Sequence, residues 1–84
     1  MRLGYYAITE IETGMLVWAD RAAHDYHALA MFEVTIRDDI DATDYIVHEL
    51  TEAQYRQTIG LARQDLKMAG RFLHQLFFYG PMKI

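Results

Sequence analysis

Between Thr51 and Tyr79 the apolar residues Tyr55, Ile59, Ala62, Leu66, Ala69, Leu73 and Leu76 recur at alternating spacings of four and three. At about 100° per residue this draws one stripe along an α-helix. Thr51-Glu52-Ala53-Gln54 supplies a capping box at its start, the Thr51 hydroxyl accepting from the Gln54 amide while the Gln54 side chain accepts from the Thr51 amide. Gly80, which tolerates a left-handed conformation, and Pro81, which cannot continue a helix, supply its stop. A helix over these residues would be roughly 43 Å long, whereas a compact chain of this length is only about 30 Å across. The spacing therefore predicts one of two outcomes. Either the helix breaks, at Gly60 or Gly70, or its aromatic end, Phe72, Phe77, Phe78 and Tyr79, projects and is covered by another chain. Those rings would bury on the order of several hundred Å² at about 25 cal/mol per Å², which favours a homodimer or a tightly bound protein partner.

The first half reads as strands and one shorter helix. Arg2 to Ile11 and Met15 to Asp20 are rich in aromatic and branched residues, and Glu12-Thr13-Gly14 joins them as a bulged hairpin turn in which Gly14 takes positive φ. Asp20 is placed to cap a helix from Arg21 to about Thr35. Its sheet-facing side would hold Ala22, Tyr26, Leu29, Phe32 and Ile36. The far side, with His24, His27, Met31 and Val34 between Ala23 and Ala30, is apolar enough to look for a partner. After the acidic turn from Arg37 to Asp44, Tyr45 to Leu50 alternates as a third strand. The order β-β-α-β-α predicts an α+β fold. It comprises one domain over residues 1–84, a three-stranded antiparallel sheet with both helices on one face, and a long C-terminal helix.

Charge is unevenly spread. Residues 1–50 hold three arginines against ten carboxylates, a net of −7, while residues 51–84 hold five basic against two acidic groups, a net of +3. Such a split orients docking between surfaces. The overall charge of −4 argues against general affinity for nucleic acid. With 52% hydrophobic residues, no cysteine and no long apolar run, disorder, disulfide scaffolds and membrane spans are disfavoured, and the expected compartment is the cytoplasm.

Each chemical motif has a competing structural explanation. His24 and His27, one helical turn apart with Asp20 nearby, offer three potential metal ligands, but a structural zinc site takes four, so no metal or other cofactor is expected. The carboxylates from Asp38 to Asp44 resemble a calcium loop only superficially. Counted from Asp39, the glycine position is Asp44 and the twelfth is Leu50. Arg56, Arg63, Lys67 and Arg71 form a basic helical stripe able to follow phosphates, the basis of an alternative reading as a nucleic-acid binder. Without serine or cysteine, a phosphate loop or a paired carboxylate site, an enzyme is not expected. Tyr5, Tyr6 and Trp18 read as sheet packing from which one or two anchors could face outward. The function these features favour is non-enzymatic protein binding. It would be exerted by an inhibitor or regulator acting by steric occlusion, with a small acidic make-up common among phage and mobile-element proteins. The contact residues would be His24, His27, Met31, Phe72, Phe77, Phe78 and Tyr79.

Overall fold

The computed structural model describes residues 2–78. Its elements are β1 (Gly4–Glu10), β2 (Leu16–Ala22), α1 (Asp25–Ile36), a 3₁₀ turn (Ala42–Asp44), β3 (Tyr45–Leu50), α2 (Glu52–Ala62) and α3 (Leu66–Phe78). The class is α+β. The three strands form one antiparallel sheet in the order β2-β1-β3.

β1 is central, and Tyr6, Ala7, Ile8 and Thr9 are all buried. Successive strand residues point to opposite faces, so an unbroken buried run requires cover on both. Tyr6 and Ile8 join Ala22 of β2 and Ala28 and Phe32 of α1 in one cluster. Ala7 joins Leu16, Leu50, Ala69 and Leu73 in a second, to which Tyr55 and Ala62 of α2 also belong as half-buried neighbours. The helices therefore lie on opposite faces, α1 on one and α2 with α3 on the other, not together on one face as the sequence reading had them. Tyr5-Tyr6-Ala7-Ile8 lacks the apolar-polar alternation of a half-exposed strand, and that is the physical reason.

A bulge divides β2 between the two cores. Ile8 pairs with Trp18 but Thr9 pairs with Leu16, leaving Val17 as the extra residue. Regular alternation would place Leu16 and Trp18 on one face. The bulge sends Leu16 into the second cluster and leaves Trp18 packed against the first. At the hairpin tip the Glu10 amide donates to the Met15 carbonyl (3.0 Å) and the Gly14 amide to the Glu10 carbonyl (2.8 Å). Gly14 has φ +72°, the positive value read from the sequence.

The N-terminus of α1 differs from expectation. β2 continues through Ala22, so the cap is His24, whose Nδ1 accepts from the His27 amide (3.2 Å). The Asp20 carboxylate accepts instead from the adjacent Arg21 amide. The buried side of the helix is that of Ala28 and Phe32, while Tyr26 is 76% exposed and Ile36 43%. α1 ends at Arg37, which is left-handed (φ 58°) and donates its amide to the carbonyls of Glu33 and Val34.

The capping box at Thr51 forms as read, with bonds of 3.1 Å and 3.0 Å. The long helix, however, is two helices, and neither glycine breaks it. The interruption is at Arg63–Asp65, where the Gln64 and Asp65 amides both donate to the Leu61 carbonyl. The Asp65 carboxylate then accepts from the Lys67 amide (2.8 Å) to start α3. A short acidic side chain competes with the helical backbone for amides, so aspartate starts helices better than it continues them. Gly60 has nothing near its missing side chain. Gly70 is a contact: a Cβ there would stand 1.8 Å from the Gly14 carbonyl oxygen, so α3 presses against the hairpin tip where only glycine fits. The expected stop at Gly80 and Pro81 lies outside the described residues.

Gly70→Ala should destabilise the chain by about 2 kcal/mol or more, because backbone must move to admit one methyl. Gly60→Ala should stabilise it by roughly 0.5–1 kcal/mol through helix propensity. Urea midpoints of the two variants against wild type check both signs.

Candidate binding surface

The residues singled out from sequence separate into different environments. His24 and His27 do meet, with ring centroids 6.0 Å apart, but each has its Nδ1 engaged by backbone. His24 accepts from His27, and His27 from the Ala23 amide at 2.9 Å. They build the entry to α1. Among the described residues no group of three or more His, Asp or Glu side chains is placed to hold a metal ion. Met31 is half-buried against the first core cluster, and Phe72 is half-buried against the second, facing the chain's own sheet. The side chains of Phe77 and Phe78, and Tyr79 altogether, lie outside the described residues. The basic stripe is divided by the helix break: Arg56 sits on α2 and pairs with Glu52, Arg63 caps α2, and Lys67 and Arg71 lie on α3.

What the fold assembles instead is an apolar belt around the outer edge of β2. A cavity of about 550 Å³ wraps this edge, with Met15, Val17, Trp18, Ile36, Ile59 and Leu66 in its lining. It draws on both helical layers, because a strand at the sheet edge exposes the side chains packed above and below it. Val17, the bulged residue, and Leu66, the first residue after the break, are both exposed. Trp18 continues the belt into a second recess beside Asp20, Met31 and Val34. Val34, 75% exposed, leads on to a rim of Glu33, Arg37, Asp38 and Asp39. The backbone of this edge is blunted, as exposed edges commonly are: Val17 interrupts its regularity, and Asp20 takes the Arg21 amide at 2.7 Å. Contact here falls to side chains. Of the three aromatic candidates for anchors, Tyr6 is buried, Tyr5 packs at 4.9 Å against the tilted ring of Tyr55 with the Arg21 guanidinium over its own ring, and Trp18 lines the belt.

The β1–β3 side of the sheet, beneath α3, holds a polar cluster whose members are far apart in the sequence. Thr9 and His48, paired across β1 and β3 through their register neighbours, share a buried hydrogen bond of 2.9 Å between Oγ1 and Nε2. His74 of α3 lies close enough to act on His48 electrostatically. A groove of about 340 Å³ opens above, lined by Thr9, Glu10, Ile46, Arg71, His74 and Gln75. Burial, reinforced by His74, holds the His48 pKa down from its ordinary 6.5 to about 4. The pair serves as a satisfied polar contact within the core. The signal for His48 was present in the alternation Ile46-His48-Leu50, which puts it on an apolar face.

Comparison with known proteins finds no matching family model, no matching curated protein and no matching solved structure. Among the described residues no helix is long and apolar enough to cross a membrane.

The depressed His48 pKa fixes a pH dependence. Folding favours the neutral ring, so its stability contribution is complete above pH 6.5 and is lost as the pH falls toward about 4. The loss should approach about 3 kcal/mol. Urea unfolding of wild type and His48→Gln across this window should show a steeper slope in the first than in the second.

Proposed function

We propose that this chain is a non-enzymatic protein-binding module, an inhibitor or regulator that acts by covering a partner's surface and works as a homodimer. The supporting observation is the belt around β2. It places exposed Val17, Val34, Ile36 and Leu66 beside Trp18 along one edge of a small domain. Apolar surface of this kind, rimmed by charge, is typical of protein contact sites. Of the aromatic end of α3, Phe72 packs inward, while the side chains of Phe77 and Phe78, and Tyr79, lie outside the described residues. Affinity on this reading comes from the belt, with Trp18 and Val34 as anchors, and orientation from the charged rim.

Tagged wild type should capture a partner from extracts of its source cells, and the partner, identified and purified, should bind directly. Val17→Glu/Val34→Glu, both exposed changes that leave the core intact, should weaken that binding at least about tenfold. Arg56→Glu/Arg71→Glu should leave it unchanged. The reverse pattern, with binding that collapses as salt rises, overturns the proposal in favour of a polyanion ligand on the basic residues.

A further inference from the structure

We infer that the belt is covered by a second copy of this chain, related by a two-fold axis that lies in the sheet plane and runs along β2. This rests on the protein-binding reading and gives the same belt a second occupant, so that a second copy and a partner compete for it. The argument begins with the two layers, which have opposite charge. α1 and the turn after it, residues 24–44, carry one arginine against six carboxylates, whereas α2 and α3, residues 51–78, carry four cations against two carboxylates. Because the layers lie on opposite faces of the sheet, both reach the β2 edge.

Two symmetric arrangements can join copies at that edge. An axis perpendicular to the sheet pairs β2 with β2 as antiparallel strands and keeps each layer beside its own equivalent, so the acidic layers adjoin. It also needs a regular hydrogen-bonding edge, which the Val17 bulge and the Asp20 contact to the Arg21 amide deny. An axis along β2 turns the second copy over. Each acidic layer then stands beside the partner's basic layer, twice by symmetry, and the belt residues of both copies close on one another without backbone pairing. The groups placed to face one another are local to the belt. Glu33, Asp38 and Asp39, with Arg37 the one cation among them, rim its α1 side next to Val34, and Arg63 and Lys67, both exposed with Asp65 between them, flank Leu66 at the helix break. Opposite charges around an apolar centre make the surface self-complementary.

Two charge reversals test the geometry, because each makes both contacts in its own homodimer repulsive while the pair of variants complement one another. Wild type at about 10–100 µM should sediment as a dimer, more tightly at about 50 mM than at about 500 mM salt. Arg63→Glu/Lys67→Glu alone and Asp38→Lys/Asp39→Lys alone should each dimerise at least about tenfold more weakly. An equimolar mixture of the two should restore a heterodimer. Far-UV circular dichroism establishes that each variant is folded. A wild-type monomer throughout this range overturns the inference, as does a dimer indifferent to both reversals or a mixture that stays monomeric. If the monomer still captures a partner that Val17→Glu/Val34→Glu loses, the dimer fails and the binding function stands. If neither association is seen, both fail.

Discussion

The two-sided burial of β1 is the constraint from which the other features follow. Four consecutive residues, Tyr6 to Thr9, are withdrawn from water, and a pleated strand can achieve this only as the middle layer of three. β2 and β3 flank it in the plane, and the helices close it above and below. The small size of the domain makes this economical. One strand serves two cores, so 84 residues bury more than a two-layer arrangement of the same length would. The polar members of that strand are accommodated in the same way: Thr9 faces the second core and is satisfied there by His48.

The features legible in the sequence were those decided by near neighbours. The Thr51 capping box, the Tyr45–Leu50 strand and the positive φ of Gly14 each depend on a few adjacent residues, and each is found. The apolar stripe from Tyr55 to Leu76 was also largely right, since helical phase is set locally; most of its members pack against the second cluster, with Leu66 left outside at the break. The misreadings arose where distant or competing interactions decide. Asp65 stops a stripe whose periodicity runs on through it. β2 runs two residues further than expected and α1 starts later, and the side of α1 that meets the sheet is that of Ala28 and Phe32, with Tyr26 and Ile36 outward. The side of the sheet on which a helix lands is not written in the helix at all.

The candidate surface was less legible than the fold. The sequence places the histidines on a helix starting at Arg21, and Phe72 and the basic stripe on a helix that either breaks at a glycine or projects. In the folded chain two of these groups support local structure, and the stripe is divided. The belt could not be assembled from periodicity, because it joins a bulge, a helix end and a helix break from three separate stretches. Its composition nevertheless follows from those irregularities. Each interrupts a repeating pattern, and an apolar residue at an interruption has lost the neighbour that would have covered it.

The meeting of Gly14 and Gly70 also bears on how the chain matures. The first hairpin precedes α3 along the chain and is synthesised before it, yet its tip rests against that helix. Contacts so far apart along the chain form late and carry a loop-closure cost. During synthesis the hairpin therefore waits with one side of its sheet uncovered, and the domain closes only when α3 emerges.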